Sequence, residues 1–291
     1  MIPTVVMRSH NDMPVVAETL AMLRQQRTPF DLVVFDNAST DGTLEEARKY
    51  TDRIVHVAAG AYVPGRVLNQ AMVCASGEYV VFVNSDCPPQ SDTWLQQMIA
   101  GFADEQVVAV FGRQVPRADC HPLYAKDTED TFGDGSRQPF WRHCFSMASA
   151  AIRTSAWKTA PFNERLQYSE DIDWTWRARQ RGGRIVYVPD AVVTHSHNYT
   201  LRQLYRRQYG EGQAEAFIFD WEPWRRNLLR YSLLPFVRQT LSDWKYCLSH
   251  SAFGAIPFSP VMRFTSLLGR RKGFTDGWAE RKRQEAGVSL A

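Results

Sequence analysis

Short runs of β-branched and aromatic residues alternate with helix-like stretches through the first hundred residues. The runs that read as buried strands are residues 4–8, 31–35, 53–57 and 79–83. Apolar residues at helical spacing occupy the intervals at 13–26, 43–50 and 67–75. Strands that alternate with helices in this way predict a mainly parallel sheet with helices on its faces.

The remaining sequence continues this pattern less regularly. Further strands are predicted at 107–111, 145–153, 184–188 and 191–197, and a helix at 169–181. Residues 113–140 contain several prolines and predict a long irregular segment, either a lid, a binding loop or a disordered stretch. From residue 201 the pattern is helical and aromatic, with breaks at Pro223, Pro235, Gly254 and Pro257. We therefore predict an α/β catalytic domain over residues 1–200 and a helical extension over 201–291.

Charge, apolar runs and cysteines limit the class of protein. A net charge of +3 over 291 residues is too slight to indicate nucleic acid as a partner. No apolar run approaches the roughly 18 residues that span a bilayer, and the start lacks the features of a signal peptide, so we expect a cytoplasmic protein. The five cysteines form no CxxC pair, which argues against a zinc site, and Cys87 reads as a packing residue.

Basic residues are concentrated in the last third of the chain, interleaved with tryptophan and tyrosine. They are Arg202, Arg206, Arg207, Arg225, Arg226, Arg230, Arg270, Arg271, Lys272, Arg281, Lys282 and Arg283. This pattern is typical of contact with an acidic phospholipid surface. An ordinary solvated helix face is the equally weighted alternative.

Acidic residues follow two of the predicted strands. Asp36 ends the second strand, and Asp86 follows the fourth within Asn84-Ser85-Asp86. Open α/β sheets bind ligands at the carboxyl ends of their strands, where one carboxylate is enough for a divalent ion that also holds substrate phosphates. His195, two residues before His197 at another strand end, is a candidate second metal ligand. A turn residue remains the more ordinary role of such an aspartate.

Glu170 and Asp171 begin the predicted helix at 169–181. The helix dipole keeps an acid at this position ionised, which suits a general base, although compensation of the dipole alone would explain the same residues. Asp36 is also suited to accept hydrogen bonds from a base or a ribose, and Arg66 to pair with phosphate.

Taken in order, these segments resemble the family-two inverting glycosyltransferases of GT-A fold over roughly residues 3–200. The residues that carry the resemblance are 5–12, 33–43, 66–79, Asn84-Ser85-Asp86, and 162–195 with Glu170-Asp171-Ile172-Asp173-Trp174. The resemblance implies a three-layer α/β sandwich with a mainly parallel central sheet, followed by the helical extension.

The resemblance also implies roles for individual residues. It places donor binding at Arg8, Ser9, Asn11, Asp36, Asn37, Arg66, Asn84 and Ser85. Asp86, with His195, would hold Mg²⁺ or Mn²⁺ on the donor diphosphate. Asp171 would deprotonate the acceptor hydroxyl, and Glu170 would position the acceptor or the base. Asn84 departs from the family, which usually has aspartate there, and leaves less negative charge for the ion.

The expected function is transfer of a hexose or deoxyhexose from a nucleotide-sugar donor to a saccharide or lipid-linked acceptor in cell-surface polysaccharide or glycolipid synthesis. The expected place is the cytoplasm, with peripheral contact at the inner face of the membrane. A nucleotidyltransferase would need a glycine-rich phosphate loop after the first strand, and residues 8–12 contain no glycine. A non-catalytic nucleotide-sugar sensor is a third reading, which Asn84 favours.

Overall fold

The computed structural model describes residues 2–136, 143–219 and 232–286. The predicted break at Pro223 and the basic residues Arg225, Arg226 and Arg230 lie outside these ranges. The chain divides into two compact units. Unit 1 comprises residues 1–118, 128–166 and 170–196, and unit 2 comprises 119–127, 167–169 and 197–291. Each unit has its own hydrophobic core.

Helices and strands alternate along unit 1. The strands are β1 (Thr4–Ser9), β2 (Asp31–Asp36), β3 (Ile54–His56), β4 (Tyr79–Asn84), β5 (Val107–Val115), β6 (Ser149–Arg153) and β7 (Arg184–Thr194). The helices up to the end of unit 1 are α1 (Val15–Arg24), α2 (Thr43–Ala47), α3 (Pro64–Cys74), α4 (Trp94–Ala100), α5 (Pro122–Phe132), α6 (Thr154–Thr159) and α7 (Glu170–Gln180).

The strands form one sheet in the order β3-β2-β1-β4-β6-β5-β7. Every neighbouring pair is parallel except those of β6, which runs antiparallel to β4 and β5. The predicted mainly parallel sheet is thus confirmed. Because β1 lies between β2 and β4, the carboxyl ends of these three strands meet at one edge, with Arg8 opposite both Phe35 and Asn84.

Alternate residues of the strands pack on opposite faces of the sheet, as strand geometry requires. Val5 and Met7 face a core completed by α1 and α4, whereas Val6 and Phe35 face a second core completed by α3 and α7. Helices therefore cover both faces of the sheet, which gives the three layers of the sandwich. These cores fix the strand ends that carry the polar residues.

Several sequence predictions were wrong in detail. The stretch 113–140 is not irregular throughout, because β5 continues to Val115 and α5 occupies Pro122–Phe132. Strand β7 is a single strand that passes through Pro189, with register shifts in its pairing to β5. Helices α4 and α6 were not predicted. Residues 137–140 of the supposed loop lie outside the described residues.

In the described part of unit 2 the long helices are α8 (Leu201–Ile218), α9 (Leu234–Ser249) and α10 (Phe258–Glu285). Thr200 begins α8 with a capping box, since its hydroxyl accepts from the Gln203 amide N–H and the Gln203 side chain accepts from the Thr200 N–H. Within the described residues, no helix is long and apolar enough to cross a membrane.

Three glycines at every fourth position let α10 approach α8 at backbone distance. A Cβ atom on Gly269, Gly273 or Gly277 would lie 2.7, 1.9 or 2.7 Å from a backbone oxygen of α8. The glycines thus form a smooth strip along α10 that no larger residue can replace without moving the helices.

A buried ion network joins α9 to α10 in unit 2. The Asp243 carboxylate is fully buried and accepts hydrogen bonds from Ser259 Oγ at 2.7 Å and from Arg263 Nε at 2.7 Å. Lys126 Nζ lies 3.3 Å from the same carboxylate. Arg263 also donates two hydrogen bonds to the Asp127 carboxylate, at 2.7 and 2.8 Å. The charges of the network are therefore paired with one another.

Candidate active site

The predicted site residues lie at the end of the sheet where β1, β2 and β4 terminate. Arg8 and Ser9 end β1, Asp36 ends β2 and Asn84 ends β4. Ser9 pairs in register with Asp36, and its hydroxyl donates to Asp36 Oδ1 at 3.2 Å. The parallel order of the strands therefore brings together residues that are far apart in sequence.

Arg8 links the end of β4 to the beginning of α7. Its Nη2 donates to Asn84 Oδ1 at 2.8 Å, and its Nη1 lies 3.8 Å from Glu170 Oε1. Its Nε has no hydrogen-bond partner among the described residues. Burial lowers the pKa of Arg8, but Tyr62, Glu170 and Asp171 raise it, and the net pKa lies above its usual value. The guanidinium therefore stays charged beside a neutral amide.

Asp171 is held at the N-terminus of α7 by backbone donors. Oδ1 accepts from the Ile172 N–H at 2.8 Å, and Oδ2 accepts from the Met147 N–H at 3.3 Å. Burial raises the pKa of Asp171 above its usual value, although the two backbone N–H groups and the charge of Arg8 act in the opposite direction. The carboxylate is thus fixed in orientation and more basic than an exposed aspartate, as a proton acceptor requires.

Asp86, Cys87 and His195 form a second cluster, with one possible ligand atom of each lying within 4.8 Å of the others. His195 Nε2 lies 3.6 Å from Asp86 Oδ2. The structure therefore brings together the two residues that the sequence singled out as metal ligands. Arg117, which the sequence analysis missed, donates from Nη2 to the Asp86 backbone oxygen at 2.6 Å.

Gln114 orients the imidazole of His195. Gln114 Oε1 lies 2.6 Å from His195 Nδ1, and Gln114 Nε2 donates to Ser146 Oγ at 2.9 Å. An amide oxygen only accepts, so Nδ1 carries a proton, and a neutral ring would present the lone pair of Nε2. A lone pair and a carboxylate oxygen that approach each other suit a cation between them.

The donor set fits a hard or borderline divalent ion. Carboxylate oxygen suits both Mg²⁺ and Mn²⁺, and an imidazole nitrogen favours Mn²⁺ of the two. Burial raises the pKa of the Cys87 thiol well above its usual value, and nearby Asp86 raises it further. The thiol therefore stays neutral and packs in the core, in agreement with its predicted packing role.

A cavity of about 240 Å³ lies beside the ends of β1 and β2. Its lining includes His10, Asn37, Gly60 and Tyr62. Asn11, next to His10, adopts a left-handed φ of 53°, and its side-chain oxygen accepts from the Thr40 N–H at 2.8 Å. The polar turn after β1 is thereby fastened to the turn after β2, which shapes this cavity.

Three other predicted donor-binding residues use their side chains within the protein. Asp36 is buried, and its Oδ2 accepts from the Ser39 N–H at 3.1 Å. Ser85 is fully buried, and its hydroxyl donates to the Asp12 carboxylate. Arg66 is exposed on α3, with its Nε 3.6 Å from Glu164 Oε2. Their donor-binding roles stay predictions.

Fold and site together define a glycosyltransferase with a GT-A-type fold. The chain belongs to the family Glycosyl transferase family 2, which matches residues 4–159.

Two relatives in Salmonella match over most of their length. The O-antigen chain rhamnosyltransferase WbaN of Salmonella anatum is 29% identical over 87% of this chain and 82% of its own. The O-antigen chain rhamnosyltransferase RfbN of Salmonella typhimurium is 25% identical over 93% of this chain and 88% of its own.

A solved structure supports the fold. The mannosyltransferase PcManGT from Pyrobaculum calidifontis, in complex with GDP-Man and Mn²⁺, superposes with a TM-score of 0.65. The superposition covers 94% of this chain and 87% of that one, at 19% sequence identity.

Proposed function

We propose that this glycosyltransferase inverts the anomeric centre while it moves a sugar from a nucleoside-diphosphate donor to an acceptor hydroxyl. The observation that carries this proposal is the bridge made by Arg8, which contacts Asn84 at the end of β4 and approaches Glu170 at the start of α7. This bridge ties the strand end that leads to Asp86 to the helix that carries Asp171. A leaving-group site and a base that lie near each other are what a single displacement needs.

In the proposed reaction, the Asp171 carboxylate takes the proton of the acceptor hydroxyl. The acceptor oxygen forms a bond to the anomeric carbon, and the bond from that carbon to the diphosphate oxygen breaks. The electron pair of the broken bond leaves with the diphosphate. Attack from the side opposite the leaving group inverts the configuration.

Asp86 and His195 are the proposed ligands of Mg²⁺ or Mn²⁺, and Gln114 holds the imidazole in the required tautomer. A bound divalent ion would stabilise the negative charge that develops on the leaving diphosphate. Asn84 adds no charge to this site. Arg8, which hydrogen-bonds to Asn84, contributes positive charge near the donor instead.

The proposed donor site combines the cavity near His10 and Tyr62 with the ends of β1, β2 and β4. The cavity receives the nucleotide base. Asp36, Asn37, Ser9, Arg66 and Ser85 are further proposed donor-site residues, and Asp36 and Ser9 stand at the adjoining ends of β2 and β1.

The names of the relatives suggest the substrates. We propose that a deoxyhexose, rhamnose, is transferred in the synthesis of a cell-surface polysaccharide, because both Salmonella relatives are O-antigen chain rhamnosyltransferases. The acceptor is a growing saccharide, free or lipid-linked. The proposed place of the reaction is the cytoplasm, at the inner face of the membrane.

A panel of nucleotide-sugars tests the proposal directly. Ligand binding to the native state raises its melting temperature, so the correct donor should produce a larger shift with Mn²⁺ than without. The panel should include rhamnose donors, GDP-mannose and UDP-glucose. Stabilisation by none of them, with or without the ion, would contradict the proposal.

A sensor that binds nucleotide-sugars without turnover is the second candidate, which the neutral Asn84 favours. The Asp171→Asn variant distinguishes the two functions. If the protein is an enzyme, the wild type transfers sugar, and the variant loses transfer but keeps its donor-induced stabilisation. If it is a sensor, the wild type already shows neither transfer nor slow donor hydrolysis.

A further inference from the structure

Helix α9 presents an apolar stripe on its outer side. The stripe comprises Leu234, Val237, Leu241, Trp244 and Leu248, with side chains 39% to 59% exposed. Their spacing of three, four, three and four residues places them along one side of the helix. A row of five exposed apolar residues is more than the scattered exposure of a typical soluble surface.

The buried ion network prevents α9 from rotating to hide this stripe. Thr240, Asp243 and Cys247 form the inner side of the helix and are buried. Rotation would withdraw the buried Asp243 carboxylate from its hydrogen-bond donors Arg263 and Ser259. The stripe is therefore held on the solvent-exposed side of α9.

Exposed apolar residues continue beyond α9. Phe253 is 60% exposed in the short 3-10 turn Phe253–Ala255, which links α9 to α10. Val261, Phe264 and Leu268 repeat the spacing of three and four on the first half of α10 and are 47% to 56% exposed. Two successive helices of unit 2 therefore each carry an unburied apolar face.

The charges beside the stripe are positive. Arg238 and Lys245 are exposed and lie one helical turn apart from stripe residues, along one border of the stripe. The only acidic residue of α9 is Asp243, which is fully buried. On α10, Arg271 follows Leu268, whereas the charge of the neighbouring Lys272 is paired with Asp276. A partner that binds this surface should therefore offer an apolar region for the stripe and negative charges for the basic residues beside it.

We propose that the apolar stripe of α9 and the exposed face of α10 dock on an anionic phospholipid membrane. Apolar side chains with Trp244 at their edge enter the boundary of the acyl chains, and Arg238 and Lys245 contact lipid phosphates. The same spacing of apolar residues would suit a second copy of α9. Charge decides against that partner, because an antiparallel pair would set Arg238 and Lys245 against the same residues of the other copy.

Co-sedimentation of the full chain with vesicles tests this surface. The vesicles are pure phosphatidylcholine or phosphatidylcholine mixed with phosphatidylglycerol, and the salt concentration is varied. We expect binding to the anionic vesicles at low salt that weakens as salt rises. Absence of binding to anionic vesicles at low salt would overturn the proposal.

Two double variants separate the apolar and the charged contributions. Leu241→Ser with Leu248→Ser should abolish sedimentation, and Arg238→Gln with Lys245→Gln should weaken it about thirtyfold. All four side chains are exposed, so the variants should melt as the wild type does. The matched controls are Val73→Ser, whose side chain is 72% exposed on α3, and Arg48→Gln with Arg181→Gln, also exposed. The controls should bind as the wild type does.

Two further outcomes would also overturn the proposal. One is vesicle binding that both α9 variants leave unchanged. The other is a concentration-dependent dimer in analytical ultracentrifugation that Leu241→Ser with Leu248→Ser converts to a monomer. That second result would assign the stripe to self-association. Neither outcome depends on glycosyl transfer, so the test stands apart from the proposed enzymatic function.

Discussion

Both units bury charged side chains, but the hydrogen-bond partners of these side chains differ between the units. In unit 2, Asp243 and Arg263 are joined by hydrogen bonds, and Arg263 and Asp127 make a bidentate pair. In unit 1, Arg8 faces the neutral Asn84 at hydrogen-bond distance, approaches Glu170 only at 3.8 Å, and has an Nε without a partner among the described residues.

The difference is between charges that satisfy one another and a cation that keeps unused hydrogen-bonding capacity. Charges that satisfy one another hold helices in a fixed arrangement and have little to offer a ligand. A buried cation with unused hydrogen-bonding capacity costs folding energy, which substrate contacts recover when they form. We therefore propose that the network of unit 2 serves stability and that the cluster around Arg8 serves substrate chemistry.

The largest effect is expected from Asp171→Asn. Loss of a general base should lower the rate of transfer by about 10²- to 10⁴-fold, because the amide cannot take the proton of the acceptor hydroxyl. Donor binding, measured by calorimetry, should change little. Asp173→Asn is the matched control, since Asp173 lies on the same helix and pairs with Arg177. Equal losses of transfer in both variants would contradict the role of Asp171 as base.

The second effect concerns stability. Arg263→Met leaves Asp243 and Asp127 without their shared cation and should lower the free energy of unfolding by about 3 to 5 kcal/mol. Arg8→Met should cost less, because it removes a cation whose hydrogen bonds are incomplete. Urea unfolding measures both values. A larger loss of stability for Arg8→Met would reverse the comparison between the units.

A third prediction concerns the cluster near Asp86. Gln114→Leu removes the acceptor that orients the imidazole of His195, so the dissociation constant for Mn²⁺ should rise about 10- to 100-fold. Titration calorimetry with Mn²⁺ measures this constant without any turnover. Gln90→Leu is the control, because Gln90 is exposed and donates to Thr194 instead. If the Gln114 variant binds Mn²⁺ with the dissociation constant of the wild type, Gln114 does not orient the imidazole for metal binding.

The smallest effect is a displacement of the pH profile. Burial raises the pKa of Asp171, so kcat/KM should fall with decreasing pH at a pH above the usual range for aspartate, as the base takes up a proton. The charge of Arg8 lowers this pKa. Arg8→Gln should therefore move the acid limb to still higher pH. A shift to lower pH, or an unchanged limb, would show that Asp171 does not control it.

The sequence predicted the strands of unit 1 well, because residues such as Val80 to Val83 are apolar on both faces of a covered sheet. Helix α5 was missed because its sequence is polar from Lys126 to Thr131, and only Leu123 and Tyr124 of its first turn enter the core of unit 2. Two of its polar residues, Lys126 and Asp127, instead form ion pairs within the network of unit 2. That compensation depends on Asp243 and Arg263, more than a hundred residues away.

The sequence allowed us to predict which residues belong to the site, but not the hydrogen bonds that link them. Asp86 and His195 stood at strand ends, where the fold class places ligands. The bridge from Arg8 to Asn84 depends on β1 and β4 being neighbours, and the strand order is not written in any local pattern. Gln114 escaped attention because β5 runs past the expected end at Phe111, and the Met147 N–H carries no side-chain signal at all.

The glycine strip of α10 has a consequence for how the chain can vary in length. Each residue turns an α-helix by about 100°. One inserted residue between Gly269 and Gly277 would therefore swing part of the strip away from α8 and push bulkier neighbours against its backbone. Insertions and deletions should therefore be excluded from this stretch. Related chains should thus keep a constant count of residues across the strip, even where the residues between the glycines differ.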